Sequence, residues 1–181
     1  MRHLLLIYAH PTPRGSYLNR YLTERLGDMP NVELRDLYQL YPDFYIDAAQ
    51  EQESLGRADV VVMQFPIRWF SVPSIIREWQ DSVLTKGFAF GPGGNALKGK
   101  RFMAAVSTGG QERSYEQGEP HGAGIDAYLA PVVQTAVFCG MEVVEPFVVH
   151  GARDLDTRKR DDVAQAYMER LRALTQGEDH G

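Results

Sequence analysis

The sequence predicts one α/β domain built on a doubly wound parallel sheet of five strands. Apolar runs of about four to eight residues alternate along the chain with segments of helical period. Polar or aromatic loops follow three of these runs, as they do where parallel strands end at a ligand-binding edge. Alternating strands and helices favour crossovers that place helices on both faces of the sheet. We therefore expect the strand order 2-1-3-4-5.

The predicted strands are short and mostly apolar. The first is apolar throughout, which is typical of a strand that is buried on both faces. The second alternates between apolar and polar residues and suits an edge of the sheet. In chain order, the strands are predicted at residues 4–9, 32–37, 60–64, 101–107 and 143–149.

The predicted helices follow from apolar periodicity and from their terminal residues. Leu18, Leu22 and Leu26 share one face of the first helix, and Pro73 suits the first turn of another. The helices are predicted at residues 16–26, 73–84, 125–138 and 156–174, with residues 43–55 part loop and part helix. Together the elements predict a single domain over residues 1–175 and a polar tail over residues 176–181.

Composition excludes several classes of protein. The chain has 181 residues, a net charge of −5 and a hydrophobic content of 44%, which suit one globular domain. The acidic balance argues against a nucleic-acid partner, because no broad basic surface is available for phosphates. Cys139 is the single cysteine, so we expect a buried thiol and no disulfide, and the five histidines show no metal-ligand spacing. No apolar run approaches the ~18 residues of a membrane span, so a cytoplasmic protein is expected.

The loop after the first predicted strand begins at His10 and leads into a helix through Gly15 and Ser16. In a sheet of this kind, the N-terminus of the first helix can bind a phosphate through backbone N–H groups and the helix dipole. Ser16 and Asn19 can add side-chain hydrogen bonds. Alternatively, Ser16 is only the N-cap of that helix.

The loop after the third strand carries an aromatic pair, Trp69-Phe70, next to the cation Arg68. Aromatic residues most often pack in a core. Here they fall between the end of a strand and Pro73, at the expected ligand edge. This position favours stacking against a planar ring.

The loop after the fourth strand contains Thr108-Gly109-Gly110, with Tyr115 and His121 further along. The glycines allow main-chain amides to approach a ligand, and a Tyr–His pair can hold or relay a proton. The alternative is a surface turn with an ordinary histidine. A nearby match to the G-x-G-x-x-A pattern at residues 122–127 is weak, because no strand precedes it.

A glycine-rich insertion separates the third helix from the fourth strand. Residues 86–95 contain four glycines and a proline, which predict a long surface loop. We expect Phe88 and Phe90 to be exposed there, as at an interface. The sequence thus predicts a homodimer in which this loop, or residues 41–46, reaches the partner's ligand pocket.

Five motifs carry a resemblance to known proteins. They are YAHP at residues 8–11, LYQLYPDF at 37–44 with Ile46-Asp47, RWFSVP at 68–73, GFAFG at 87–91 and TGG at 108–110. Over nearly its whole length, the chain resembles the flavodoxin-like NAD(P)H:quinone oxidoreductases. Within them it is most similar to the ancillary subunits of bacterial glutathione-gated potassium-efflux (Kef-type) systems.

The resemblance implies a two-electron, ping-pong hydride transfer from NAD(P)H through a flavin to a quinone, in a two-fold homodimer. FMN is implied rather than FAD, because the chain lacks the longer C-terminal region of the FAD-using animal enzymes. Ser107 departs from the Thr of many relatives. Tyr115 and His121 match the pair that accommodates charge on the reduced flavin. The implied flavin-binding residues are His10, Ser16, Tyr17, Leu18 and Asn19 on the phosphate side, Ile67, Arg68, Trp69 and Phe70 around the ring, and Ser107, Thr108, Gly109 and Gly110 along its polar edge.

Two further functions stay open. A regulatory subunit could bind a potassium-efflux antiporter at the inner face of the membrane and use its flavin structurally, which is compatible with reductase activity. A phosphoacceptor signalling domain of the same topology is disfavoured. Such a domain needs acidic residues at the strand ends, where this chain has His10-Pro11 and Phe65-Pro66.

Overall fold

A computed structural model describes residues 1–12, 17–116, 118–119 and 121–176 of the chain. Its centre is one sheet in which every described pairing is parallel. The order is β2-β1-β3-β4, with β5 and β6 both beside β4, so the predicted fold class and strand order are confirmed. The strands are β1 (Leu4–Tyr8), β2 (Val32–Asp36), β3 (Val60–Pro66), β4 (Arg101–Ser107), β5 (Glu142–Val143) and β6 (Phe147–Val149).

The fifth predicted strand is divided into two short pieces, β5 and β6. Arg101 lies opposite Glu142, whereas Ala105 lies opposite Phe147, so one extra residue is inserted between the two pieces. The insertion includes Pro146, which has no N–H to donate to a neighbouring strand. An extra residue of this kind bends a strand and redirects the chain beyond it. Because β6 is parallel to β4, the chain that follows it emerges at the same edge of the sheet as the loop after β4.

Six helices flank the described sheet, and most lie where the apolar periodicity predicted them. The first is shorter than predicted and continues as a 3₁₀ turn at Arg25–Asp28. A short second helix was not predicted; the Asp36 side chain caps it by accepting a hydrogen bond from the Gln39 N–H at 3.3 Å. The helices are α1 (Tyr17–Glu24), α2 (Leu37–Leu40), α3 (Ala48–Arg57), α4 (Ser74–Val83), α5 (Ile125–Phe138) and α6 (Thr157–Gln176). Residues 177–181 of the predicted tail lie outside the described residues.

Each face of the sheet packs against its own set of helices. Successive side chains of β1 point to opposite faces, so Leu5 joins one core cluster and Leu6 the other. Leu5 packs in a layer with α3, α4 and α5, which includes the fully buried Trp79. Leu6 packs in a layer with α1 and α6, which includes Tyr167. Among the described helices, none is both long enough and apolar enough to cross a membrane.

The expectation that Phe88 and Phe90 are exposed is wrong. Both are partly buried and pack against the core cluster that includes residues of α4 and α5. The loop folds back on itself so tightly that a Cβ at Gly94 would lie 2.1 Å from the Phe90 carbonyl oxygen. The glycines serve this compaction. The exposed aromatic in the neighbourhood is instead Phe138, at the end of α5, whose ring centroid lies 5.3 Å from that of Phe90.

A buried ionic cluster holds the segment that follows α2. Glu51 is fully buried, and its carboxylate accepts hydrogen bonds from Arg35 at 2.5 Å, Tyr41 at 2.6 Å and the Trp79 indole N–H at 2.9 Å. Burial, followed by the hydrogen bond to Glu51, raises the pKa of Tyr41 to about 12. A buried charge with all its partners in place is a strong local constraint. It positions residues 41–47, the segment most specific to the resemblance.

Candidate functional site

The candidate site lies at the carboxyl edge of the sheet, where the loops after β1, β3, β4 and β6 meet. The loops after β3 and β4 are joined by a hydrogen bond from the Ile67 N–H to the Ser107 carbonyl at 2.8 Å. Of the residues implied for the phosphate side, His10, Leu18 and Asn19 are buried. Tyr17, at the first position of α1, is 71% exposed. Ser16 lies outside the described residues.

The aromatic pair after β3 sits at the tip of a strained turn. Trp69 and Phe70 have φ values of 50° and 60°, in the left-handed region that bulky residues rarely adopt. Reciprocal hydrogen bonds hold the turn: the Arg68 N–H to the Ser71 carbonyl at 2.8 Å, and the Ser71 N–H to the Arg68 carbonyl at 3.0 Å. Each left-handed residue costs about 1–2 kcal/mol. Trp69 is nevertheless 90% exposed, so core packing does not account for its position.

The structure brings Tyr115 and His121 together, with their ring centroids 4.7 Å apart. Both lie against the glycine loop, because a Cβ at Gly110 would be 2.6 Å from His121 Nε2 and 3.3 Å from the Tyr115 ring. The Phe70 ring lies 5.6 Å from His121, which connects the aromatic turn to the Tyr–His pair. Close approach of this kind explains why glycine is needed at position 110.

Two further aromatic members of the cluster, Tyr128 and His150, were not predicted from the sequence. Tyr128 lies 5.4 Å from Phe70, and its hydroxyl donates a hydrogen bond to the His121 carbonyl. The His150 ring lies 5.0 Å from Tyr115, on a different loop. Tyr128 is on α5, and its three-residue spacing from Ile125 gave only a helical signal. His150 directly follows β6, so the rule that ligands bind at strand ends was the one signal that could have found it.

The glycine loop presents unsatisfied donors at this edge. Within the described residues, the N–H groups of Gly109 and Gly110 have no acceptor in the protein. The loop itself is held in place: the Thr108 hydroxyl donates to the Gly110 carbonyl at 2.8 Å, and the Gly151 N–H donates to the same carbonyl at 2.8 Å. Free amides on a fixed loop form a site for an oxygen atom that gains negative charge.

A buried polar chain supports the loop from below. The Tyr167 hydroxyl donates to Gln64 Oε1 at 2.8 Å, and Gln64 Nε2 donates to the Asn19 carbonyl at 3.0 Å. Asn19 Nδ2 in turn donates to Ser107 Oγ at 2.7 Å. Since Ser107 Oγ accepts from Asn19, its own proton is available in another direction. The predicted residues Asn19 and Ser107 are thus oriented by two residues, Gln64 and Tyr167, that sequence analysis did not select.

His10 follows β1 at the same edge of the sheet, and its surroundings favour the neutral ring. Burial, followed by repulsion from the Arg68 guanidinium, lowers the pKa of His10 below its ordinary value. Its Nδ1 accepts a hydrogen bond from the Thr12 N–H at 3.2 Å, so the proton of the neutral ring lies on Nε2. A neutral N–H donor at the entrance to α1 suits a ligand with polar oxygens.

The donor set fits a flat aromatic cofactor that carries a phosphate. Trp69 offers an exposed ring plane, Gly109 and Gly110 offer free amides, and α1 begins at the same edge with its N-terminus. By contrast, the described residues contain no group of three or more His, Cys, Asp or Glu side chains that could hold a metal ion.

The comparisons with known proteins agree with this architecture. A family model described as flavodoxin-like fold matches residues 2–174, and the chain belongs to that family. More narrowly, it is 44% identical to the glutathione-regulated potassium-efflux system ancillary protein KefF of Salmonella typhimurium. That match covers 98% of this chain and 99% of that protein. The resemblance drawn from the sequence motifs is therefore confirmed.

Two solved structures extend the comparison. General stress protein 14 of Treponema denticola, in complex with FMN, is 33% identical with a TM-score of 0.88, and the match covers 95% of this chain and 99% of that one. An NADPH-quinone reductase from P. pentosaceus is 26% identical with a TM-score of 0.84, and the match covers 93% of this chain and 96% of that one.

Proposed function

We propose that this chain is an FMN-dependent NAD(P)H:quinone oxidoreductase that also serves as the ancillary subunit of a glutathione-gated potassium-efflux antiporter. The observation that carries the reductase proposal is the strained, exposed Trp69-Phe70 turn beside the Tyr115–His121 pair. Strain at a site persists when it serves a ligand. The KefF relative and the NADPH-quinone reductase structure support the two halves of the proposal.

The residues that would hold FMN divide by the part of the cofactor they suit. His10, with Tyr17 to Asn19 at the start of α1, suits the phosphate side, to which the proposal also assigns Ser16. Ile67 to Phe70 suit the ring, and Ser107 to Gly110 suit its polar edge. FMN is preferred to FAD because the FMN-bound structure matches almost the whole length of this chain. The bound flavin would supply the hydride chemistry, accepting a hydride from NAD(P)H and passing it to a quinone.

The protein's own residues provide stacking, dry surroundings and charge stabilisation. Trp69 and Phe70 cover a ring face and exclude water from it. The free Gly109 and Gly110 amides stabilise negative charge at the polar edge. Tyr115 and His121 lie next to the glycine loop, where they can donate a hydrogen bond or a proton as negative charge develops at that edge. NAD(P)H and the quinone would use the same open face in turn, as a ping-pong scheme requires.

The decisive experiment is reduction of bound FMN by NADPH in stopped flow, followed by oxidation with a quinone. His121→Ala is expected to slow reduction by about 10²-fold while changing FMN affinity little. His3→Ala, at the amino end of β1, is the control and should match the parent. A His121→Ala rate within twofold of the parent would remove this residue from the proposed chemistry, and a parent protein that binds no flavin would refute the reductase.

The alternative is a mainly regulatory flavin-binding subunit with incidental reductase activity. The identity to KefF over nearly the full length of both chains favours an antiporter partner in either case. Contact with such a partner would be peripheral, at the cytoplasmic face of the membrane. A variant that lacks turnover but still opens the antiporter in a reconstituted efflux assay would favour regulation. Loss of turnover together with loss of antiporter opening would favour a role for the redox state of the flavin in regulation.

The proposal includes a homodimer. Residues 127–138 of α5 contain no charged residue, although one side of this helix faces outward. Val137 and Phe138 are 50% and 64% exposed, next to the partly buried Phe90. An uncharged helix end that exposes large apolar side chains is expected to be covered. A second copy of the chain is the proposed cover, in agreement with the dimer that the resemblance implies.

A further inference from the structure

His150 is a second histidine at the candidate site that the proposed chemistry does not use. It lies directly after β6, and its Nδ1 is 3.0 Å from the Thr108 hydroxyl oxygen. Its ring lies 5.0 Å from Tyr115, while His121 lies 4.7 Å from the same tyrosine. The buried Tyr115 ring is thus flanked by two imidazoles from different loops.

The hydrogen-bond directions around His150 are determined by Thr108. The single hydroxyl proton of Thr108 is donated to the Gly110 carbonyl at 2.8 Å. Its oxygen must therefore accept from His150, which places the proton of the neutral imidazole on Nδ1. The resulting chain runs from His150 through Thr108 to Gly110, in the loop that carries the free amides.

The backbone around His150 is fastened to the same loop. The Thr108 N–H donates to the Val149 carbonyl at 2.9 Å, and the Ala152 N–H donates to the Thr108 carbonyl at 2.9 Å. Gly151 has a φ of 60°, and a Cβ there would lie 2.5 Å from Gln111 Nε2. The positive φ therefore favours a glycine directly after His150. These two backbone hydrogen bonds, together with the contact between Nδ1 and the Thr108 hydroxyl, fix the imidazole relative to the glycine loop.

We propose that His150 is a positioning residue of the site: its Nδ1–H holds the Thr108 hydroxyl. This inference rests on the proposed function, because the effect on chemistry passes through a flavin at the polar edge. The geometric part concerns the protein alone. His150 acts by fixing the Gly109 and Gly110 amides where negative charge develops, and it does not itself exchange a proton with the ligand.

The geometric part is tested without flavin. A nitrogen-detected NMR spectrum of the apoprotein at neutral pH should show His150 as the Nδ1–H tautomer. The Thr108→Val variant removes the hydroxyl that accepts this hydrogen bond, so His150 should no longer prefer the Nδ1–H tautomer. An Nε2–H tautomer in the parent would overturn the proposal outright.

The functional part is tested by titrating oxidised and reduced FMN into the parent and its variants. His150→Ala should weaken binding of reduced FMN relative to oxidised FMN by about tenfold, the size expected when one hydrogen bond is lost. The midpoint potential of the bound flavin becomes more negative as a result. His150→Asn keeps an N–H donor near the Nδ1 position and should stay within about twofold of the parent.

A double-mutant cycle separates positioning from general stability. If His150 acts through Thr108, then adding His150→Ala to Thr108→Val should cause almost no further loss of reduced-state preference. A merely structural role would lower the melting temperature of all three variants and leave the ratio of the two FMN affinities unchanged, which would overturn the proposal. A parent that binds no FMN would refute the proposed function instead, while the tautomer measurement would still decide the geometry.

Discussion

Trp69 combines two properties that the folded chain alone does not explain. It is 90% exposed, and its backbone lies in the left-handed region with a φ of 50°. An exposed tryptophan contributes little to the core, while its backbone conformation is unfavourable by about 1–2 kcal/mol. A ligand that covers the ring would offset both costs. The stacking role therefore predicts separate effects on binding and on stability.

Removal of the ring should weaken cofactor binding. Trp69→Ala is expected to cost on the order of 1 kcal/mol in FMN binding beyond the lost area, about fivefold in Kd. Isothermal titration calorimetry with FMN measures the Kd of each variant. Trp69→Phe keeps an aromatic plane and serves as the matched control, with an expected Kd close to that of the parent. An unchanged Kd in Trp69→Ala would contradict the stacking role.

His10 predicts a pH dependence of stability with a definite sign. Burial, followed by the Arg68 guanidinium, lowers its folded-state pKa below the ordinary value of 6.5. The unfolded chain therefore binds a proton more readily than the folded chain. The stability contributed by neutral His10 is complete above the unfolded pKa and is lost as the pH falls toward the folded pKa.

The measurement is the melting temperature from about pH 7.5 to about pH 5.5, a range that spans the ordinary histidine pKa. The parent should lose stability across this range, and His10→Gln should lose less of it. His3→Gln, at the other end of the same strand, should keep the parent's slope. Equal slopes in the parent and His10→Gln would show that His10 is not the group responsible.

At the scale of the element, the turn from Arg68 to Ser71 stores strain that a different residue would relieve. Asparagine adopts the left-handed conformation more readily than tryptophan. Trp69→Asn should therefore raise the unfolding free energy of the apoprotein by about 1 kcal/mol, while weakening FMN binding. Trp69→Ala, which gains no such tolerance, is the control. Chemical denaturation measures the unfolding free energies of both variants. If Trp69→Asn is no more stable than Trp69→Ala, the turn does not store strain at this residue.

The regular elements were predictable because their signals are local. Continuous apolar runs located β1, β3 and β4, and helical periodicity located α5 from Ile125 to Phe138 with both ends correct. The break between β5 and β6 was not predicted, although Pro146 is a sequence signal against a continuous strand. Its cause is a register with β4 that differs by one residue at its two ends, which only the paired strands reveal. The α2 helix was missed because four residues are too few to show a period.

The residues of the candidate site likewise fall into those that were predicted from the sequence and those that were not. Trp69, Gly110 and His121 were selected because they stand in loops at strand ends, and the structure does bring them together. Gln64 was missed because its role depends on partners far along the chain. The position of His150 directly after the fifth predicted strand was a usable signal, but its contact with Thr108 was not predictable. The Gln64 side chain meets Tyr167, 103 residues later, and His150 meets Thr108, 42 residues earlier. Side-chain contacts over such separations leave no pattern in a single sequence.

At the scale of the whole molecule, the outward side of α5 is the surface that a single chain leaves unexplained. From residue 127 to residue 138 the helix has no charge, and its last turn exposes Val137 and Phe138. The proposed interface is therefore placed at the end of α5 and no longer at Phe88 and Phe90. Phe90 is partly buried under Phe138, so replacing it would also disturb the core. Phe138 gives the cleaner test.

Phe138→Asp should break the proposed homodimer. A charge buried at the centre of an apolar interface loses its hydration without gaining a partner, so the dimer Kd should rise by about a hundredfold or more. Sedimentation velocity at micromolar concentration measures it, and circular dichroism checks that the monomer is folded. Leu34→Asp is the matched control, because Leu34 is 43% exposed on β2 at the opposite edge of the sheet. If each site is completed by the partner chain, quinone turnover should fall together with the dimer in Phe138→Asp and stay unchanged in Leu34→Asp. A fully active monomer would refute the shared site, even if the parent protein is dimeric.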